Sequence, residues 1–237
     1  MAPPSNHRSI RLFVNAPLAA GATVPASAAQ AHYLLHVMRR HAGETVALFN
    51  GRDGEWDAVI AAHGKSPHFT IGERRRAQAP DTDHWLAFAL LKRDAADLLV
   101  RQATELGIAR ICPFVARRSQ GERVNLARWQ SIAVEAAEQC ERLTLPEIDP
   151  PRPLPALLGA WPAARPLMAL IERMAAPDLA PVAGPAGLLV GPEGGFAPEE
   201  VAEIRQHGSV VPTSLGPRIL RAETAAIAGL ARMQSGV

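Results

Sequence analysis

Two short stretches near the C-terminal end hold the residues of this 237-residue chain whose types and spacing best suit chemistry. The first reads Leu188-Leu189-Val190-Gly191-Pro192-Glu193-Gly194-Gly195-Phe196-Ala197-Pro198-Glu199-Glu200-Val201. An apolar run enters a glycine-rich turn, and a helix then starts with Pro198 in its first turn and two acids matched to its dipole. Glycines there admit positive φ and let a ligand reach the backbone. Ligands of open α/β sheets collect at the carboxyl ends of strands, which is where this turn falls. The stretch lacks both the Gly-Lys-Ser/Thr of a phosphate loop and the Gly-x-Gly-x-x-Gly of a dinucleotide site. Taken alone, its Gly-Gly pair is also what a tight strand-to-helix turn requires. The second stretch, Ser214-Leu215-Gly216-Pro217-Arg218-Ile219-Leu220-Arg221-Ala222-Glu223-Thr224-Ala225-Ala226, turns at Gly216-Pro217 and presents two arginines and an acid before an apolar helix. Arginines beside a glycine-rich turn can hold a polyanion or orient a reacting base. For Glu223 and Thr224 the alternative is simple helix capping.

The elements that must position these stretches alternate between strand and helix from Trp85 onward. Strands are predicted over 85–91, 108–115, 167–171, 188–190 and 209–211. Helices are predicted from Asp94, taken as the N-cap, to a stop at Gly107, over 127–142, and from about Thr224 to the end. The proline-rich stretch 146–166 reads as loop with a short helix near Leu157. Such a pattern gives an α/β domain with a mostly parallel sheet. The first 76 residues differ: short β-favouring runs at 10–14, 45–49, 56–60 and 68–71 are separated by Asn50-Gly51, Asp53-Gly54 and His63-Gly64 turns. One helix is predicted over 27–40, with Tyr33, Leu34, Val37 and Met38 on its apolar face. A small barrel follows, joined by a linker at 73–80 to a second domain, so the boundary falls between 1–76 and 77–237.

Composition narrows the setting. Hydrophobic residues make up 48% and charged residues 20%, as in an ordinary folded protein. The longest strongly apolar stretch, 85–91, is far short of the roughly 20 residues that cross a bilayer. The small-residue run 16–31 is broken by Pro17, Gly21 and Pro25 and is a poor signal peptide. Two cysteines imply no disulfide framework, and the natural setting is the cytoplasm. Net charge is +2, but residues 1–76 carry nine Lys/Arg against five Asp/Glu, while the remainder carries 16 against 18. A basic module ahead of a near-neutral one suits a polyanion-binding domain attached to a second functional domain. The histidines lack metal-ligand spacing, and no metal is expected. Asp53 and Asp57 read as turn residues, Cys140 as a packing residue, and Trp56, Trp85 and Phe196 as core aromatics.

Together the two C-terminal stretches resemble the RsmE family of SPOUT methyltransferases, whose hallmarks are a Gly-Pro-Glu-Gly-Gly loop and a Leu-Gly-x-x-Ile-Leu-Arg-x-Glu-Thr-Ala loop. Both stand intact here. Weaker matches run along the chain in the same order: Arg11-Leu12-Phe13-Val14, His32 through Val37-Met38-Arg39, Glu105-Leu106-Gly107, and Glu138-Gln139-Cys140 with Arg142. The family's lysine before Glu-Leu-Gly falls at or beside Gln102, next to Arg101. The resemblance implies a C-terminal SPOUT trefoil-knot domain preceded by a small PUA-like β-barrel that binds RNA. It implies a homodimer that uses S-adenosyl-L-methionine to methylate N3 of a uridine in 16S rRNA near the decoding region, in the assembled or nearly assembled small ribosomal subunit. The donor would lie against Leu170, Ile171, Gly191, Glu193, Gly194, Gly195, Leu215, Gly216, Ile219 and Leu220, with backbone groups from three loops around it.

Uracil N3 carries a proton at neutral pH, so methylation there needs a cation beside the developing anion, a base, or both. Arg221 is the candidate cation, and Glu223, with Glu193 behind it, the candidate base. Arg8, Arg11, Arg39, Arg40 and Arg218, with the run 74–76, are the candidate phosphate contacts. Two alternatives stay open: a methyltransferase of the same class acting on tRNA, and a non-catalytic ribosome-assembly factor that keeps only RNA binding.

Overall fold

The computed structural model describes residues 10–63, 66–121 and 124–235, and divides into two units: residues 1–80 with 137–144, and residues 81–136 with 145–237. Arg8 and the Gly64 turn lie outside the described residues.

The first unit is built on five strands: β1 (Arg11–Phe13), β2 (Thr23–Pro25), β3 (Thr45–Phe49), β4 (Glu55–His63) and β5 (Ser66–Arg76). They lie in the order β1-β3-β4-β5-β2, antiparallel except for β1 on β3. Alternating residues such as Val46, Leu48, Ala58, Ile60, Phe69 and Ile71 point into one core, as period-2 patterning requires. Helix α1 (Ala28–His32) opens with a capping box between Ser27 and Gln30, then widens into a π-helical turn, Tyr33–Val37. Two sequence expectations change here. The expected linker 73–76 is the end of β5, paired with β4 through Trp56–Arg74 and Glu55–Arg76 across a bulge. The helix expected over 27–40 leaves Tyr33, Val37 and Met38 exposed and buries only Leu34.

The buried Arg11 organises this unit. Its guanidinium pairs with Glu55 and donates to the carbonyls of Ala137 (2.7 Å), Glu138 (3.0 Å) and Arg142 (2.9 Å). The first two carbonyls lie in the last turn of helix α3 (Leu126–Cys140), where backbone acceptors lack helical partners and the dipole favours a cation, and the third lies just past it. Two weak sequence matches, far apart in the chain, thus meet at one residue.

The second unit holds a wholly parallel sheet. Its strands are β6 (His84–Ala89), β7 (Arg110–Val115), β8 (Glu147–Ile148), β9 (Arg152–Pro153), β10 (Leu167–Leu170), β11 (Ala186–Val190) and β12 (Val210–Thr213). The order is β12-β10-β11-β6-β7-β8, with β9 also on β7. Near-continuous apolar runs such as Ala186–Val190, buried throughout, are what a sheet covered on both faces demands. Helix α2 (Arg93–Glu105) and helix α6 (Ala222–Gln234) supply Leu99, Ala103, Ala226, Leu230 and Met233 to one core. Helices α4 (Leu154–Gly159) and α5 (Pro198–Gln206) supply Leu154, Leu157, Leu158 and Ile204 to the other. Lys92, not Asp94, is the N-cap of α2; Asp94 lies in its first turn. Asp97 is buried and takes a hydrogen bond from Arg128 at 2.8 Å. The stretch expected to be mostly loop, 146–166, contributes two short strands besides α4. No helix among the described residues is long and apolar enough to cross a membrane.

Candidate active site

Three adjacent strands set the site. In the parallel register Leu170 of β10 stands beside Val190 of β11 on one side and Thr213 of β12 on the other. Their carboxyl ends are therefore level, and three loops leave from the same edge: 171–178, 191–197 and 214–221. The first and third are tied together. Ser214 donates its N–H to the Pro177 carbonyl at 2.9 Å, and Leu179 donates to the Ser214 carbonyl at 2.8 Å. The second is held from the far side. Buried Glu200 accepts from the backbone N–H of Ala197 and of Arg117, each at 2.8 Å, and Arg118 donates to the Gly194 carbonyl at 3.0 Å.

The loops enclose a cleft of about 680 Å³. Of the expected donor contacts, Leu170, Ile171, Gly191, Gly195, Leu215, Gly216, Ile219 and Leu220 line it. Glu193 and Gly194 do not; both are exposed, and a β-carbon on Gly194 would point at the Arg118 side chain, 3.3 Å away. The glycines that the cleft requires are Gly195 and Gly216, with φ of +69° and +102°. Sequence reasoning passed over Glu172, Arg173, Asp178 and Phe196, which also line the cleft. Phe196 is half-buried rather than core, its ring stacked on Phe114 with 6.3 Å between centroids. Position after Leu170-Ile171 was the available signal for the two acids; nothing in their spacing marked them.

Arg221 is the N-cap of α6, exposed, with no side-chain cap bond. It stands outside the cleft wall, between Leu220 and Ala222, which line it. Glu223, in the first turn of α6, keeps its Oε2 buried without a hydrogen-bond partner. Arg218 is exposed at the cleft. Arg39 is exposed and Arg40 half-exposed, 3.5 Å from Glu44. Arg11 does not belong with them. A buried guanidinium whose donors are taken by Glu55 and three carbonyls cannot turn to a phosphate, so its role is internal. In the run 74–76, Arg75 pairs with Asp57, and Arg76 donates to the Glu141 carbonyl at 2.9 Å. Cys112 is no nucleophile: burial, then the Asp149 carboxylate, push its thiol up to about 12.

A parallel sheet with a cleft built from three strand ends, and a chain segment laid across from 177–179 to 214, is the SPOUT, or α/β-knot, methyltransferase architecture. Residues 78–234 match the family model of an RNA methyltransferase domain, and residues 27–71 that of an RNA methyltransferase PUA domain. The chain is 31% identical over 238 residues to ribosomal RNA small subunit methyltransferase E of Rickettsia conorii, covering 94% of each. It is 33% identical to the protein of that name from Synechocystis sp., covering 90% of this chain and 73% of the relative. The solved structure of ribosomal RNA small subunit methyltransferase E from Neisseria gonorrhoeae, bound to S-adenosyl methionine, matches with a TM-score of 0.85 at 28% identity, over 96% of this chain and 97% of that one. This chain belongs to the ribosomal RNA small subunit methyltransferase E family.

Proposed function

We propose that this protein transfers a methyl group from S-adenosyl-L-methionine to N3 of a uridine in 16S rRNA near the decoding region. The substrate in this reading is the assembled or nearly assembled small ribosomal subunit, and the enzyme is a cytoplasmic homodimer. The observation that carries it is the convergence of both motif-bearing loops, with 171–178, on one cleft at three level strand ends.

The cleft suits the donor. Its volume lies in the range of small-molecule sites. Leu170, Ile171, Leu215, Ile219 and Leu220 offer an apolar wall for a purine, and Glu172 and Asp178 offer carboxylates to a cationic ligand. Gly195 and Gly216 free the backbone to approach it. When bound, the donor supplies an electrophilic methyl group on a sulfonium.

The chain's own task is to place the uracil and to make loss of its N3 proton cheap. Arg221 is the assigned cation: exposed and without an internal ion pair among the described residues, it is free to face an incoming base. Glu223 is the assigned proton acceptor, two residues on from Arg221 in the first turn of α6. Arg39, Arg40 and Arg218 are the assigned phosphate contacts, and the first unit the RNA-capturing module, in keeping with the PUA model it matches.

Mapping of methylated nucleotides in total RNA from a deletion strain tests the reading. Loss of one N3-methyluridine from 16S rRNA is expected, restored by the wild-type gene. Loss of a tRNA methylation would move the substrate, and no loss with intact donor binding would favour a binding factor.

A further inference from the structure

We infer that the segment Tyr33–Arg40 is a platform for unpaired RNA, with a base stacked on Tyr33, apolar support from Val37 and Met38, and phosphates on Arg39 and Arg40. The inference rests on the reading of this chain as an RNA methyltransferase and names where, and in what form, the first unit meets its substrate.

Four independent features coincide here. The first is exposure. Tyr33, Leu35, Val37 and Met38 are 39%, 41%, 58% and 38% exposed, four large apolar side chains within six residues, while Leu34 at 0% anchors the turn to the core. The second is backbone. The turn is π-helical, closed by Met38 N–H to the Tyr33 carbonyl at 2.9 Å, and π turns concentrate at functional sites. The third is strain. Arg39 has φ of 51°, the left-handed conformation that glycine adopts freely at helix ends and other residues adopt at a cost. An arginine kept there, exposed and with no ion pair among the described residues, points to use of its guanidinium. The fourth is charge. Residues 27–43 contain no Asp or Glu but carry Arg39 and Arg40, with the first carboxylate, Glu44, paired to Arg40 at 3.5 Å. His32 and His36 are exposed on the same turn, their rings 5.1 Å apart.

An apolar ridge alone would suit a protein partner, but this one is bordered by Arg39, which has no ion pair among the described residues, and by Arg40, whose one carboxylate partner, Glu44, stands 3.5 Å away at the surface. Phosphates complement the border and base faces complement the ridge, which is the pairing of features that single-stranded nucleic acid offers. A duplex hides its base faces in the stack and presents phosphates and sugars instead. The platform therefore selects loops and unpaired strands.

The test uses the full-length protein, a short unstructured RNA oligonucleotide, and a duplex of the same sequence. Tyr33→Ala is expected to weaken single-strand binding about tenfold and leave duplex binding near normal, while Tyr33→Phe, which keeps the ring, binds as wild type. Arg39→Gly relieves the left-handed strain, so it is expected to melt no lower than wild type yet bind RNA more weakly, with a shallower salt dependence. Unchanged single-strand affinity in Tyr33→Ala, or equal losses on both RNAs, overturns the platform. A drop in particle mass in Tyr33→Ala with RNA affinity intact would make this a surface between copies of the chain and also overturn it. Donor affinity and methylation by the wild-type enzyme report separately on the function itself, so either reading can fail alone.

Discussion

The two motif-bearing loops of the cleft leave neighbouring strand ends, yet they are built differently. The loop 191–197 is fastened on several sides: Glu200 takes two of its surrounding N–H groups, Arg118 reaches the Gly194 carbonyl, Gly195 N–H closes on the Pro192 carbonyl at 2.8 Å, and Phe196 rests on Phe114. The loop 214–221 is fastened mainly at its start, through Ser214 to Pro177 and Gly216 N–H to the Ser214 hydroxyl at 3.0 Å. Beyond that point Arg218, Ile219 and Arg221 are exposed, Ile219 by 60%. A small ligand recognised through backbone needs a rigid frame, because displaced donors lose their aim. A polymer substrate needs side chains that are accessible and still unspent. The fastened loop suits the methyl donor, while the open one can serve both, with Leu215, Gly216 and Leu220 in the cleft and Arg218 and Arg221 exposed for RNA.

That contrast breaks most visibly at Arg221. If it stabilises the uracil anion, its contribution grows toward the transition state, and Arg221→Ala should lower the single-turnover rate on the order of 10²–10³ with donor affinity kept. Lysine should rescue only in part, lacking the planar fork. A near-normal rate would remove Arg221 from the chemistry, and lost donor binding would place it on the fastened side of the comparison.

Next comes the difference between two adjacent glycines. Gly195 lines the cleft at positive φ, so Gly195→Val forces a β-branched residue into a conformation that costs about 1–2 kcal/mol for any side chain. As the loop shifts to escape that strain it gives up the backbone positions that meet the donor, and calorimetric donor affinity is expected to fall about five- to thirtyfold. Gly194 has no positive φ and faces Arg118, so Gly194→Val should change donor affinity by no more than about twofold, as ordinary surface changes do. The reverse ranking would show that the cleft wall is wrongly drawn.

The last effect concerns the fastening itself and is read in stability, with only an indirect effect on the donor. Glu200→Ala leaves the N–H groups of Ala197 and Arg117 without their acceptor, at a cost of about 1–3 kcal/mol in stability. Thermal denaturation should show the loss, and donor affinity should follow in proportion to how far 191–197 loosens. A melting temperature equal to that of the wild type would mean water replaces the carboxylate without penalty.

Arg11 and Arg39 carry the same lesson into the first unit. Both stand in motif matches and both were expected to meet phosphates, yet one is buried against Glu55 and the end of α3 while the other is exposed at positive φ. Residue type and local pattern are identical evidence for the two. Only the partners brought from 55 and 137–142 separate them, and those lie far away in sequence.

Much of this protein was legible before any coordinates. Short β-favouring runs between turn signals announced β3, β4 and part of β5, and the apolar runs announced β6, β10 and β11, because strand preference and turn chemistry are written residue by residue. Pro198 and the acids after it marked the start of α5 for the same local reason. The paired glycine-rich and arginine-bearing loops pointed to the site through their resemblance to a known family, since each alone reads equally as a tight turn or a helix cap. Tertiary structure alone decided the rest. It levelled the ends of β10, β11 and β12, brought Glu172 and Asp178 into the cleft, turned Gly194 away from it and Gly195 toward it, and continued β5 through the residues that read as linker. Those outcomes depend on strand order and on which distant groups satisfy a buried charge or carbonyl, and neither is encoded in any one window of sequence.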